Sequence, residues 1–572
     1  MKHKMRSLLC LASLASALKP DVSISLAALN ASTQGHVHEN RPFALPCFTS
    51  YNGHPSTPDA AQCAVVQDKY TSAEFRIETA NGYMNNQGDM CFSNPYNQCL
   101  INDNNPSDLS TIQNRTCGKG ILPDYYLDVH DAHDVSQAFE FARLTHTPLV
   151  VKNTGHDYLA RSSGKGALAL WTHRLKNLEY HASFIPDGCG NTTTTNIKNT
   201  ITTGAGVIFD EAYRFAHKHG MAMVGGYAPT VGASGGYPQT AGHSVLSPVY
   251  GLGVDRVVQY KVVTPDGQRR IANACQNPDL FWALRGGGGN TFGVVLESTH
   301  SLEPDVPLAA AVMKFQRKGM NMLPFLDIVV NSSLRWGQEG WGGHINDASL
   351  IYVSPLVTSM DQANQSMSEV AAYVRSQGGT AVVKQYPSFL AFYEENVIAN
   401  AVTVGSPRFS DSRIIPVSVF NSTVSREKLM AYFNENVSNN RRIYIPATLP
   451  VLYNATSPND TSTSPAWRNA LWSFGPSVNI TWDSTFAERV EGIRTVTRLA
   501  NMLEDLAPNS GGYFNEASPF QKNWQEAWWG KENYARLLAI KHEYDPNRLL
   551  KCWKCVGWTP EDADDWCYAA YE

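Results

Sequence analysis

The rhythm of hydrophobic and polar positions changes several times along this chain of 572 residues. An apolar run from Leu8 to Leu18 follows Lys2, Lys4 and Arg6, and then, from 19 to about 117, no periodicity persists. That stretch is rich in Asn, Ser, Pro and Cys and predicts a loop-rich region. At Tyr126 order begins. Alternation over Tyr126 to Val129 predicts a strand, and Val135, Ala138, Phe139 and Ala142 then share one face of a helix, with Asp134 expected as its N-cap. Pro148 ends that helix, and Leu149-Val150-Val151 predicts a buried strand. A second unit follows, with a strand around Ile201 to Thr203, a helix from about Phe209 to His219 and Gly220 at its C-terminal cap. Val257 to Val263 and Gln268 to Ala272 flank Asp266-Gly267, a hairpin signal, and Pro278 opens a short helix ending at Arg285.

These elements fit two α/β subdomains over residues 118–302. Mixed strand and helix patterns fill 303–510, the expected substrate-facing lobe, and 511–572 is dense in Trp, Tyr and Asn. A chain of this length exceeds what one hydrophobic core usually serves. With 46 basic and 51 acidic side chains the formal charge is -5, so no global field favours nucleic acid or an anionic membrane.

The first 17 residues have the layout of a secretory leader, with Ala15-Ser16-Ala17 at the expected cleavage site and an apolar run too short to span a bilayer. Removing it takes away Cys10 and leaves ten cysteines, an even number that permits full pairing in an oxidising compartment. Ten Asn-x-Ser/Thr sequons stand at Asn30, Asn114, Asn191, Asn331, Asn364, Asn421, Asn436, Asn454, Asn459 and Asn479, each demanding a surface position if glycosylated. A secreted, disulfide-stapled protein is expected.

Two clusters carry candidate chemistry. The loop after Leu149 reads Asn153-Thr154-Gly155-His156-Asp157 and continues to Arg161-Ser162-Ser163-Gly164. Small residues there let successive backbone N–H groups face an anion, as a diphosphate cradle requires. The second is Gly225-Gly226-Tyr227-Ala228-Pro229-Thr230-Val231-Gly232-Ala233-Ser234-Gly235-Gly236. Further downstream come Tyr250-Gly251-Leu252-Gly253-Val254-Asp255, a four-glycine run at Gly286 to Gly289, Tyr513-Phe514-Asn515-Glu516 and Gly530 to Leu537.

In this order the motifs resemble the vanillyl-alcohol oxidase (PCMH-type) superfamily, in its berberine-bridge-enzyme-like branch, and within it the fungal oxidases grouped with isoamyl alcohol oxidase. The resemblance implies an α+β protein: a PCMH-type FAD-binding domain of two α/β subdomains, an α+β substrate domain, and a C-terminal segment that returns to the FAD domain. It makes His156 the covalent tether of FAD and places Asn153, Thr154, Gly155, Asp157, Thr230, Val231, Gly232, Gly235, Gly236 and Asn533 around the cofactor. Where bicovalent members carry Cys, this chain has Ala228, so the resemblance implies one attachment only; Tyr237 stands where relatives have His. Val231 occupies a gate position where Val resembles oxidases, which implies O2 as electron acceptor.

Plant members end the Tyr-x-Asn-Tyr motif with a tyrosine base, whereas this chain ends it with Glu516. A Glu in an apolar, aromatic-lined pocket is a competent base for an alcohol proton. Glu516, with Tyr513 as substitute, and His243 are the candidate catalytic residues. The expected reaction is oxidation of a small molecule, an alcohol or secondary-metabolite intermediate, yielding H2O2; a carbohydrate oxidase of the same fold is the alternative. From a different class, Gly232-Ala233-Ser234-Gly235-Gly236 matches the nucleophile elbow of a serine esterase, although Pro229, Gly235, Gly236 and Pro238 suit neither the strand nor the helix that an elbow needs. No metal-binding spacing is found: His130-x-x-His133 has no further ligands, and Cys552-x-x-Cys555 reads as structural.

Overall fold

The computed structural model describes residues 22–568 and 571, apart from 191, 194, 401, 402, 456 and 458. The expected leader and the sequon at Asn191 lie outside the described residues. The architecture is α+β, built on three main sheets.

The first sheet has a parallel core in which Leu168–Trp171 lies between Tyr125–Asp128 and Leu149–Lys152. The helix Ala132–Thr145 makes the crossover. Its N-cap is Asp131, whose carboxylate accepts from the backbone N–H groups of His133 and Asp134, so the expected cap is displaced by three residues. Asp134 sits inside the first turn, accepts from the His130 N–H at 2.8 Å, and meets the His36 ring at 3.1 Å. A fourth strand, Val37–Glu39, adds antiparallel to Tyr125–Asp128. It comes from the region read as loops, as does the helix Val22–Ser32, whose Leu26 and Leu29 join the core under the crossover helix. The edge of this sheet therefore precedes residue 118.

The second sheet is antiparallel, in the order Arg269–Asn273, Val257–Val263, Val294–Ser301, Ile197–Gly204, Leu178–Phe184. The third is also antiparallel, in the order Thr380–Tyr386, Leu308–Lys314, Ser349–Ser354, Gly342–Asn346, Tyr444–Ala447. Alternation along Leu308–Lys314 shows how this sheet is used. Ala309, Ala311 and Met313 enter the core beneath the helices Met322–Gln338, Met360–Ser376 and Thr423–Ser438, whereas Leu308, Ala310 and Val312 pack with Phe209, Tyr213 and Tyr237 of the preceding domain. One face stabilises the lobe; the other fastens it and walls a cavity.

The C-terminal segment, with helices Trp524–Trp529 and Lys531–Tyr544, packs Trp524, Trp528, Trp529, Trp553 and Trp566 against Tyr260, Phe281 and Trp282. Five disulfides are formed: Cys47–Cys63, Cys91–Cys567, Cys99–Cys117, Cys189–Cys275 and Cys552–Cys555. All ten cysteines that follow the expected leader are used. Asn436 departs from the sequon expectation, because it is buried and its amide donates to the Tyr432 carbonyl at 2.8 Å. Among the described residues no helix is long and apolar enough to cross a membrane.

Candidate active site

A cavity of about 780 Å³ runs between the first two sheets, the third sheet and the C-terminal segment. That volume lies toward the upper end of small-molecule sites, which span roughly 300–1,000 Å³. Asn153, Thr154, Gly155, His156, Asp157, Thr230, Val231, Gly232, Gly235 and Gly236 all line it, and so do His243, Tyr513 and Glu516.

One wall is made of backbone. The strand Leu149–Lys152 ends in a loop that turns at Gly155, where φ is +80°, a conformation that favours glycine. The second loop is pinned by bonds from the Phe209 N–H to the Val231 carbonyl at 3.0 Å and from the Ala233 N–H to the Val207 carbonyl at 2.8 Å. Close approach dictates its glycines: a Cβ at Gly232 would stand 2.3 Å from Asn153 Oδ1. At Gly236 a Cβ would meet no protein atom, because the backbone there borders open space. Among the described residues, nothing accepts from the backbone N–H groups of Gly155, His156, Asp157, Gly232 or Gly236. Two glycine loops with free amides, facing one cavity, fit the phosphates and ring edge of a dinucleotide.

His156 lies between these loops, with Nε2 2.8 Å from Thr230 Oγ1. Burial, reinforced by the nearby Lys152 charge, pushes its imidazole down to about 4, so it is neutral at physiological pH. Lys152 is itself buried, donates to the Thr79 carbonyl at 3.0 Å and is pushed down to about 7 by burial. Arg161 joins the first loop to the C-terminal segment: it pairs with Asp157, donates to Asn515 Oδ1 at 2.7 Å and lies 3.7 Å over the Phe514 ring.

At the other end, Glu516 Oε1 stands 3.5 Å from His243 Nε2, and His243 Nδ1 is 2.8 Å from Thr448 Oγ1. Thr448 thus orients the ring toward the carboxylate. Tyr513 stacks edge-on against His243 and Trp467, but its hydroxyl accepts from Asn515 Nδ2 at 2.9 Å and burial pushes it up to about 12. The pocket around Glu516 is less apolar than expected. Arg408, Arg442, Tyr158, His344 and Tyr444 share it, and none was legible as a site residue in the sequence.

Two expectations are corrected. Asn533 does not line the cavity; it is buried, and its amide donates to the Ser462 and Thr463 carbonyls at 3.4 and 3.0 Å, bracing the loop that abuts Gly286. Ser234 is not a nucleophile on an elbow. Its hydroxyl is wholly buried, 2.8 Å from the Thr203 carbonyl and 2.6 Å from Ser298 Oγ, and turns rather than a helix follow it.

The FAD binding domain family matches residues 123–273 and the berberine and berberine-like family matches 512–552, the two segments that meet at this cavity. The chain belongs to the FAD-linked oxidoreductases of the vanillyl-alcohol oxidase superfamily, in its berberine-bridge-enzyme-like branch. It is 40% identical to the FAD-linked oxidoreductase ffsJ of Aspergillus flavipes, over 93% of this chain and 91% of that one. It is 31% identical to the VAO-type flavoprotein oxidase VAO615 of Thermothelomyces thermophilus, over 94% and 91%. The crystal structure of the VAO-type flavoprotein MtVAO615 from Myceliophthora thermophila superposes with a TM-score of 0.79 at 28% identity, covering 95% of this chain and 96% of that one. The protein is an FAD-binding oxidoreductase acting on a small molecule.

Proposed function

We propose that this protein is a secreted oxidase in which FAD is held covalently through His156 and an alcohol, or an alcohol-bearing secondary metabolite, is oxidised with O2 as the final acceptor. The reading rests above all on one observation: a neutral imidazole stands between two glycine loops, in the same cavity as the His243–Glu516 pair. Bound there, FAD supplies the hydride acceptor and the route of electrons to O2.

The chain's own groups do the rest. Gly155, His156, Asp157, Gly232 and Gly236 offer amides to the diphosphate and the ring, and Thr230 holds His156 Nε2, which leaves Nδ1 for the single attachment. Ala228, with no thiol, supplies no second bond. Glu516 takes the proton of the substrate hydroxyl as hydride leaves its carbon, and His243, fixed by Thr448, shares that proton across 3.5 Å. Tyr513 is the weaker base, because a neutral phenol pushed up to about 12 holds its proton at working pH. Val231, at the gate position that the family likeness implies, would leave room for O2 to reach the bound cofactor. The five disulfides and the exposed sequons at Asn114, Asn331 and Asn364 support passage through an oxidising, secretory compartment.

Acid denaturation tests the attachment. Flavin absorbance should remain with the wild-type polypeptide and separate from His156→Ala; free flavin from both would remove the covalent bond from this reading. Val231→Leu should slow reoxidation by O2 while leaving anaerobic reduction unchanged, as followed by flavin bleaching in stopped flow.

A further inference from the structure

The cavity that contains Glu516 is also lined by two arginines, Arg408 and Arg442. The charged groups that act on Tyr158 are Arg408, Glu516 and Arg442, and those that act on Tyr444 are Glu516 and Arg408, so these side chains converge on one end of the cavity. Among the described residues neither arginine has a carboxylate within 4 Å, whereas Arg161, Arg413 and Arg468 pair with Asp157, Asp411 and Asp255, and the buried Arg76 and Arg489 donate to carbonyl and amide oxygens. The acidic groups that feel these arginines from outside are otherwise committed. Asp347, near Arg442, pairs with Arg317 at 2.7 Å and accepts from the Ile443 N–H, and Asp103, near Arg408, is engaged by Ser406.

Arg408 is placed with care. Its backbone N–H donates to Gln87 Oε1 at 3.0 Å and its carbonyl accepts from Gln87 Nε2, so one amide from the N-terminal region grips both polar groups of that residue. The neighbouring chain is fixed in the same way: Asn86 Nδ2 donates to the Gly405 carbonyl at 2.7 Å, and the Gly405 N–H donates to the Met84 carbonyl at 2.9 Å. Arg408 Nε is buried and has no acceptor in the protein.

We infer that the substrate carries a carboxylate, which Arg408 and Arg442 bind while the carbon to be oxidised faces Glu516. Both guanidiniums line the cavity without a carboxylate partner of their own among the described residues, and a ligand carboxylate supplies one. Arg408, half-buried and held at its backbone by Gln87, supplies the directional contact. Arg442, exposed on the rim next to the edge strand Tyr444–Ala447, supplies the attraction that draws the anion in. This inference rests on the reading of the cavity as the substrate site, and it gives the N-terminal region a purpose: it carries the clamp that aims a specificity residue.

The test uses the intact holoprotein and calorimetric titration with benzoate and with benzamide, its uncharged counterpart. Benzoate is expected to bind at least about tenfold more tightly, the worth of one charge-assisted contact. Arg408→Gln should abolish the preference, Arg442→Gln, at an exposed site that tolerates substitution, should reduce it several-fold, and Gln87→Ala should weaken it without removing either charge. Arg408→Lys should restore part of it. Equal binding of the two probes, no binding of benzoate, or an undiminished preference in Arg408→Gln overturns the inference. Because heat is read rather than colour, these outcomes are separate from failure of the flavin assignment, which acid denaturation reports.

Discussion

The two walls of the cavity are built from different materials. The cofactor-side wall is main chain and glycine: its shape comes from the positive φ at Gly155, the pinned loop at Val231 and Ala233, and contacts so close that Gly232 has no room for a Cβ. The substrate-side wall is side chain: His344, Tyr444 and Arg408 project from strands whose backbones any residue adopts. The first wall therefore recognises a constant partner and tolerates almost no change, whereas the second can be re-sorted residue by residue without disturbing the fold. This is how one scaffold keeps its cofactor while its substrates vary.

The largest effect that would sharpen this contrast is loss of the cofactor. Gly232→Val should leave the protein nearly free of FAD, because Asn153, held by the Ala205 carbonyl, cannot retreat from the new side chain. Tyr444→Phe, on the opposite wall, should keep its full flavin content. Comparable losses in both, read from the ratio of flavin to protein absorbance, would break the distinction. Next in size, Glu516→Gln should lower kcat by ~10²–10⁴, the range of general base catalysis, with flavin content and thermal stability unchanged. Wild-type turnover in that variant would take Glu516 out of the mechanism.

A smaller effect probes both walls by pH. His300 stands behind the cofactor wall, 2.7 Å from Ser298 Oγ, and His344 stands on the substrate wall, 2.9 Å from the Tyr444 hydroxyl. Burial pushes each imidazole down to about 3, with the charge of Arg256 adding at His300 and that of His243 at His344. A lowered histidine pKa means that the unfolded chain binds the proton first. Stability should accordingly fall as pH drops from ordinary histidine titration near 6.5 toward 3, with each group contributing a slope of up to about 1.4 kcal/mol per pH unit. His300→Gln and His344→Gln should each flatten the acid limb of a denaturation series, and an unchanged limb would show that the ring is solvated.

What the sequence made legible follows the same division. Glycine loops, an Asp-Gly hairpin and the period of a crossover helix are local signals, so several elements between Tyr125 and Leu284 could be traced, though not the strands Leu168–Trp171 and Leu178–Phe184, and ten expected cofactor and three expected catalytic residues line the cavity. The strand Val37–Glu39 was missed because three residues are too few to show alternation. Asn533 was misplaced because its motif marks a packing contact with the loop at Ser462, not a ligand contact. Arg408, Arg442, His344 and Tyr444 gave no warning, since a cationic or aromatic residue in an ordinary strand or loop looks the same whether it faces water or a ligand. The one faint signal was Gly343-His344-Ile345-Asn346, where a polar ring interrupts an otherwise buried strand.

The bond between Cys91 and Cys567 joins positions 476 residues apart and encloses both the flavin wall and the whole substrate lobe in a single covalent ring. A protease that clips an exposed turn in that lobe therefore produces no separate pieces: the nicked protein would migrate as one species on a gel until a thiol reductant is added. For the secreted enzyme proposed above, such damage need cost neither its flavin nor its shape.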